Sequence, residues 1–285
     1  MKIYYHPERQ PWIIDRIGKE FQDFSKNEVK VTFTESEIFD FDLVWLGDSN
    51  SWRMITPNEE DLIKFYLETP VVCTIHHIVP WKWNKEKYQN FMIRDRFVDV
   101  YHTYNKETEN LIKSISKKPV KVISHWVDSK KWFPLDKQEC RKDLGLKKRD
   151  MIIGSFQRDT EGSDLISPKL EKGPDIFVDL CDHFNRTEWN VKILLGGSRR
   201  QFVIKELEKL KIPYEYFENA SIENVNKMYN CCDLYIVSSR LEGGPQAIFE
   251  ASATKTKILS TNAGQSELIL DKDCLMHLNT DMSGI

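Results

Sequence analysis

Two carboxylates, Glu242 and Glu250, bracket the segment EGGPQAIFE, with Gly243, Gly244 and Pro245 between them. An apolar run, DLYIV, leads into it through Ser238, Ser239, Arg240 and Leu241. The two glycines let the backbone approach a ligand without side-chain obstruction. A proline at the first helical position loses nothing, because its missing N–H would have no partner there. The amides of that first turn and the helix macrodipole favour an anion, and a diphosphate is the natural guest. At about 1.5 Å of rise per helical residue, Glu242 in the turn and Glu250 in the helix stand several ångströms apart. That span fits hydroxyl groups on either side of a diphosphate. Taken singly, Glu242 reads as a solvated loop acid and Glu250 as an early-helix acid favoured by the dipole. The surrounding order of strand, Ser-Ser-Arg, glycine turn, helix and then KTKILSTNAGQSELI favours a site.

The elements that must position these residues alternate along the chain. KIYY, VKVTF, LVWL, VVCTI, VDVYHT and VKVIS read as strands in the first half, and MIIGSF, VKILL, YEYF, DLYIVS, KILS and CLMHL in the second. WIIDRIGKEFQDF, EEDLIKFYLE, KETENLIKSI, PDIFVDLCDHF, FVIKELEKL and IENVNKMYN read as helices. Such alternation predicts α/β architecture with parallel sheets and ligands at the carboxyl ends of strands. With 285 residues, two domains are expected. KWFPLDKQECRKDLGLKKRD is charged, contains Pro134 and lacks a strand, so the expected division is 1–133, a linker with a short helix over 134–149, and 150–285. MIIGSF delivers Gln157, Arg158 and Asp159 at its carboxyl end, and Lys172 precedes a Gly-Pro helix start. Gly196, Gly197 and Ser198 follow VKILL as ordinary turn chemistry or as a close approach to a nucleotide. Arg199 and Arg200 beside them read equally as phosphate or base neighbours and as solvent charges.

From Met151 to Ile269 the chain resembles the retaining glycosyltransferases of the GT-B fold, close to family 4, the glycosyl transferases group 1; the likeness is fainter back to Met1. NVNKMYNCCDLYIVSSRLEGGP resembles that family's helix, strand and donor loop in order, and NAGQSELI its glycine turn before the next helix. The resemblance implies two Rossmann-like domains whose parallel sheets face each other across a cleft. It implies Glu242 near the hydroxyls of the transferred sugar and Glu250 at the ribose hydroxyls. Ser239, Gly243, Gly244, Pro245, Gly196, Gly197 and Phe217 would join Glu250 in binding the donor, Phe217 in YEYFENAS lining the base pocket. Arg158 and Lys172 would neutralise the diphosphate, where fixed cations stabilise leaving-group charge without reorganisation. The insertion TEGSDLISPKLE widens the spacing between them, so Lys169 is an alternative to Lys172, and Arg158 reads equally as salt-bridge scaffolding.

In the first half, VVCTIHHIVPW resembles the family's Thr-x-His-Asp segment, with His76 as the motif histidine and His77 in place of the acid. A strand-end histidine can bond a sugar hydroxyl, and a satisfied structural histidine is the alternative. Trp81, Lys82, Trp83, Asn84 and Lys85 suit acceptor stacking or an anionic membrane surface, and equally an exposed helix start. The loop His6 to Pro11 stands where the family has a glycine-rich turn, and Arg9 could supply charge there. In HWVDSKKWFP, His125 and Trp126 replace the usual Asn-Gly. The pairs Asp40/Asp42 and Asp271/Asp273 read as strand-edge and turn acids, so no metal and no cofactor is expected.

The implied reaction moves a hexose from a UDP- or GDP-sugar to a saccharide, lipid-linked or other acceptor, with retention and with the departing phosphate taking the acceptor's proton. The rivals are a nucleotide-sugar epimerase or hydrolase of similar fold and an inert nucleotide-sugar-binding protein. A net charge of −3 gives no reason to expect nucleic acid. The eight tryptophans serve stacking or core equally. Six cysteines without paired spacing suggest reduced thiols and a cytoplasmic setting. MKIYYHPERQPW is no signal peptide, and no run approaches ~20 apolar residues, so a lipid acceptor would require peripheral membrane contact. MHLNTDMSGI closes the chain soon after a predicted strand, where GT-B chains usually continue with a helix, so a short C-terminus is expected.

Overall fold

Tyr5 accounts for two glycines on neighbouring elements. A Cβ on either Gly18 or Gly47 would overlap its ring or hydroxyl, and that hydroxyl donates to the Ile14 carbonyl at 2.9 Å. The computed structural model describes residues 1–8, 13–32, 40–50, 52, 59–162 and 164–277. Its packing divides into Met1–Ser124 and His125–Ile285. In the first unit, β1 (Lys2–His6), α1 (Ile13–Phe24), β2 (Glu28–Val31), β3 (Leu43–Leu46), α2 (Glu59–Glu68), β4 (Val71–Thr74), α3 (Lys85–Asp95), β5 (Val100–Thr103), α4 (Lys106–Ile115) and β6 (Val120–Val122) follow one another. The strands are parallel in the order β2-β1-β3-β4-β5-β6. Successive connections run one way from β1 and the other way from β3, which makes the carboxyl ends of β1 and β3 a switch point. Tyr4, Val44, Leu46, Phe65, Cys73, Phe91, Tyr101 and Ile112 form the centre of its core.

Arg9 lies outside the described residues. Asp40 and Asp42 both serve Lys2, through its ammonium at 2.5 Å and its backbone N–H at 2.7 Å. Helix α3 is mostly polar all round, and only Phe91 and Arg94 are buried in it, so apolar periodicity does not mark it. Asn84 caps it by accepting the Lys87 N–H at 2.9 Å.

The second unit contains α5 (Lys137–Asp143), β7 (Met151–Ser155), α6 (Pro174–Asn185), β8 (Val191–Gly196), α7 (Gln201–Lys209), β9 (Tyr214–Phe217), α8 (Ile222–Cys231), β10 (Leu234–Val237), α9 (Gln246–Ala253), β11 (Ile258–Thr261), α10 (Ser266–Ile269) and β12 (Leu275–Met276). Its parallel sheet runs β12-β11-β10-β7-β8-β9, so the switch point falls between β7 and β10. The core of this sheet is built on Ile153, Phe177, Ile193, Leu195, Leu207 and Ile236.

The segment expected as a linker over 134–149 belongs to this unit instead, and the division falls after Ser124 rather than at 133. Two of its charges, Lys137 and Arg141, are committed, while Lys142, Lys147, Lys148 and Arg149 remain exposed. Arg141, 3% exposed, donates to the Cys231 carbonyl at 3.0 and 3.1 Å, to the Lys148 carbonyl at 2.9 Å and to Asp233 at 2.5 Å. A cation on the last carbonyl of α8 is also placed to favour that helix's macrodipole. Cys140 packs with Met228, Cys231 and Leu146. All six cysteines are free, and five of them are buried.

Candidate functional site at the second switch point

The carboxyl ends of β7 and β10 carry Gln157 and Arg158 on one side and Ser238 to Glu242 on the other. A third segment, Leu170–Lys172, is stapled between them. The Glu171 carbonyl accepts the Arg240 and Leu241 N–H groups at 2.9 and 3.1 Å, and the Arg240 guanidinium donates to the Leu170 carbonyl at 3.1 Å. The Lys172 carbonyl accepts from Gln157 Nε2 at 2.9 Å and from the Ser238 hydroxyl at 3.2 Å. Gly173 makes this approach possible: its φ is +57°, and a Cβ there would overlap the Ser238 carbonyl oxygen. Arg240 fastens the rear by a two-point ion pair with Asp175 at 2.7 and 2.5 Å. Burial alone would raise the Asp175 carboxyl, but the Arg240 guanidinium holds it below the usual carboxylate value.

This frame brings Lys172 and Glu242 together. The Lys172 ammonium donates to Glu242 Oε1 at 2.5 Å, and the Ser239 hydroxyl donates to the same oxygen at 2.8 Å. Gln157 Oε1, 3.3 Å from the Ser239 hydroxyl, is the alternative acceptor for its single proton, and the Ser239 carbonyl accepts the Thr261 hydroxyl at 2.5 Å. Lys169 lies near by, half-buried and 3.3 Å from Glu171. Burial, and then the charges of Arg158 and Lys172, push its ammonium below the ordinary lysine value, opposed by Glu171. Lys172 thus pairs with Glu242 and Lys169 with Glu171, and Arg158 lies close enough for its charge to act on Lys169. Both lysines considered from the sequence belong to the cluster, and the insertion between Arg158 and Lys172 folds back on itself through a Thr160–Pro168 bridge to return Lys169 to it.

Pro245 is the N-cap of α9, one position earlier than the sequence suggests, and the helix begins at Gln246. The turn over Gly243 and Gly244 is covered by the second glycine turn. At Gly264, φ +68°, a Cβ would press on Glu242, Gly243 and Pro245, and at Gly244 a Cβ would strike Gln265 and His125. The His125 ring packs edge-on against Phe249 at 6.0 Å, and the Trp126 carbonyl accepts from Gln246 at 2.8 Å. The residues that replace the family's Asn-Gly thus lie against the donor loop. Glu250 is 6% exposed, and its Oε2 accepts the Tyr229 hydroxyl at 2.8 Å.

Gly196 and Gly197 end β8 against Phe156, and the Gly197 N–H donates to the Phe217 carbonyl at 3.2 Å. Arg200 is neither a solvent charge nor placed for a ligand. It is 1% exposed, paired with Asp159 at 3.1 Å and bonded to the Gln157 carbonyl, so it props the β7 end from beneath. Asp271 and Asp273 sit at and in a one-turn 3-10 helix over Lys272–Cys274.

In the first unit, His76 follows β4, with its Nε2 3.0 Å from the Gly47 carbonyl and its ring 5.4 Å from that of Tyr104. His77 and Trp81 are half-buried. Trp83 packs on Phe91 at 6.0 Å at the margin of the core, so part of its ring serves packing. Thr261, Gln265 and Tyr229 join the second-unit site without a clear sequence signal, whereas Gln157 carried one as a polar residue at a strand's carboxyl end. Among the described residues, no group of three or more His, Cys, Asp or Glu side chains could hold a metal ion, and no helix is long and apolar enough to cross a membrane.

Comparison with known proteins places relatives at this site. Residues 167–273 match the family model "Glycosyl transferases group 1". A curated relative, the lipopolysaccharide core biosynthesis mannosyltransferase LpsB of Rhizobium meliloti, is 29% identical over 161 residues, which span 53% of this chain and 43% of that protein. The chain thus covers under half of that relative's length. Among solved structures, Anabaena Alr3699/HepE in complex with UDP-glucose superposes with a TM-score of 0.74 at 15% identity, over 98% of this chain and 85% of its own. A glycosyltransferase from Rickettsia africae superposes with a TM-score of 0.64 at 16% identity, over 98% and 84%. The chain therefore has the α/β architecture of GT-B glycosyltransferase structures, two Rossmann-like units each with a six-stranded parallel sheet, and the Glycosyl transferases group 1 match falls on the unit that carries Lys172, Glu242 and Glu250.

Proposed function

We propose that this protein is a retaining hexosyltransferase of glycosyltransferase family 4, using a UDP- or GDP-sugar as donor and needing no metal. The observation that carries the reading is the meeting of Lys172 and Glu242 at 2.5 Å, brought from positions 70 apart to the switch point of the second sheet. Nothing in core packing requires a lysine there, whereas a departing diphosphate does. Arg158 and Lys172, with Lys169 behind them, would hold the diphosphate together with the first-turn amides of α9. Glu242 would exchange its lysine partner for hydroxyls of the transferred sugar. Glu250 would take the ribose hydroxyls, and Phe217, Gly196 and Gly197 would border the base. The Glycosyl transferases group 1 match and the binding of UDP-glucose by the structural neighbour Alr3699/HepE support this reading.

In the reaction, the bond from the anomeric carbon to the β-phosphate oxygen breaks and its electron pair stays on the diphosphate. The acceptor oxygen bonds the anomeric carbon from the same face, and its proton passes to the departing phosphate. The cations stabilise that developing charge in place. The acceptor would be a saccharide or lipid-linked saccharide, with His76, His77, Trp81 and Trp83 of the first unit as candidates for its contacts. The setting would be the cytoplasm, peripheral to a membrane if the acceptor is a lipid.

The test is turnover of a panel of UDP- and GDP-hexoses with saccharide and lipid-linked acceptors, with the anomer assigned by NMR. Glu242→Gln and Lys172→Ala are each expected to lower kcat by about 10²–10³-fold, the scale of one lost transition-state contact. Full turnover in both variants would overturn the site. An isomerised or hydrolysed donor without acceptor product would indicate the epimerase or hydrolase chemistry instead.

A further inference from the structure

The buried Arg200 holds the carboxyl end of β7 at three points. Its guanidinium donates to the Ser155 hydroxyl at 3.3 Å and to the Gln157 carbonyl, and it pairs with the Asp159 carboxylate at 3.1 Å. Arg199 beside it, at φ +60°, turns its carbonyl onto the Asp159 N–H at 3.0 Å. Asp159 in turn accepts the Phe202 N–H, in the first turn of α7, at 3.3 Å. The two peptide groups that flank Arg158 are thus both fastened to the turn between β8 and α7. Arg158 stays close enough to Lys169 for its charge to be felt there, and the Lys169 N–H donates to the Asp159 carbonyl at 2.8 Å. Stability is a weak reason for a buried pair of this kind, because taking both ions out of water offsets their attraction and apolar residues of similar size often serve as well. Burial lowers the Arg200 pKa and raises that of Asp159 to about 6, each opposed by the charge of the other. What a guanidinium adds over an apolar prop is direction, because its rigid fork fixes several acceptors at once.

We propose that Arg200 is a positioning residue for Arg158, and that by tying the turn after β8 to the end of β7 it sets how much more tightly the protein holds a nucleoside diphosphate than the nucleoside alone. The inference rests on the reading that Arg158 takes the diphosphate. The diphosphate cation and the Gly196-Gly197 turn that would border the base then share one support, which at 1% exposure is too buried to touch a ligand itself. A cation held in place before the ligand arrives loses less of its attraction to being ordered, so removing the support is felt in the charged part of binding. Arg200→Lys keeps a positive charge for Asp159 and removes the fork. A single ammonium on a flexible stem then replaces the planar group that spans Ser155, Gln157 and Asp159.

The experiment measures the affinity of the full chain for UDP and GDP and for uridine and guanosine, in the wild type, Arg158→Ala, Arg200→Lys and the double variant. The wild type is expected to prefer the diphosphate by about a hundredfold or more, about tenfold for each of two charged contacts. Arg200→Lys is expected to cut that preference about tenfold while nucleoside affinity stays within about twofold. Because Arg200 acts through Arg158, adding Arg158→Ala to Arg200→Lys should cost little beyond Arg158→Ala alone. A merely structural role would lower diphosphate and nucleoside affinities together and leave their ratio intact. An unchanged ratio in Arg200→Lys beside a fall in Arg158→Ala would overturn the proposal alone, as would losses that simply multiply in the double variant. A wild type without preference for the diphosphate, or a preference that Arg158→Ala leaves intact, would overturn the reading of Arg158 and the proposal with it. A wild type that binds neither UDP nor GDP would overturn the donor site as well. Should Arg200→Lys fail to fold, Asp159→Asn combined with Arg200→Gln removes both buried charges and reads the same ratio, with the same fall expected and an unchanged ratio again overturning the proposal.

Discussion

Acidification is expected to weaken the first unit through one imidazole. His102 Nε2–H donates to the Ile123 carbonyl at 3.2 Å, so in the neutral ring the proton is on Nε2 and Nδ1 accepts the Thr74 hydroxyl at 3.0 Å, which itself accepts the Trp45 Nε1–H at 2.8 Å. Burial is the main cause that lowers its pKa below the ordinary 6.5, with the neighbouring His76 adding to it and the bond to Ile123 opposing. As pH falls the unfolded chain takes up the proton first, so this stability is full above 6.5 and is lost as the pH drops through the lower, folded value. Urea midpoints measured from pH 7.5 to pH 5 should fall more steeply for the wild type than for His102→Gln; parallel slopes would remove His102 as the cause. At this scale Glu242, Lys172 and Glu250 were legible because glycine and proline punctuation surrounds them. Tyr229 was not, because a tyrosine in an amphipathic helix reads as core, and its hydroxyl matters only through a partner 21 positions away.

Between elements, the junction at Lys172-Gly173 carries the most strain-sensitive geometry. Gly173→Ala would force a Cβ into the Ser238 carbonyl and add the cost of left-handed backbone, whereas Gly145, φ +69°, has nothing within 4 Å of its would-be Cβ. Gly145→Ala should cost about 1–2 kcal/mol, the backbone term alone. Gly173→Ala should cost more and should also weaken nucleoside diphosphate binding, since Lys172 moves with it. Equal losses in urea unfolding would show that the Ser238 contact yields. The strands were readable from short β-branched and aromatic runs. Helix α5 was only half-readable: a short helix was expected within a linker, yet its Lys137 and Arg141 are spent on Asp233 and the Cys231 carbonyl from distant sequence. Only the folded arrangement of α5 and α8 distinguishes that from a solvated charge run. The helix α3 body was missed for the opposite reason, its polarity on nearly every face.

At the scale of the molecule, each unit has its own buried core, so calorimetry should resolve two transitions. Saturating UDP or GDP at about 100 times Kd should raise only the second-unit transition, by about 2.7 kcal/mol. Equal shifts of both, or of neither, would count against a donor site confined to the second unit. The two sheets also differ in strand order: the first places one strand beyond β1, the second places two beyond β7. Aligned by position across the switch point, the partner of β10 is β3, the third strand of its unit rather than the fourth. Any chimera or graft between the halves must therefore be matched by place in the sheet and not by counting along the chain. Under that matching, the counterpart of the Glu242 loop is the one opening at Gly47, the loop whose carbonyl His76 meets.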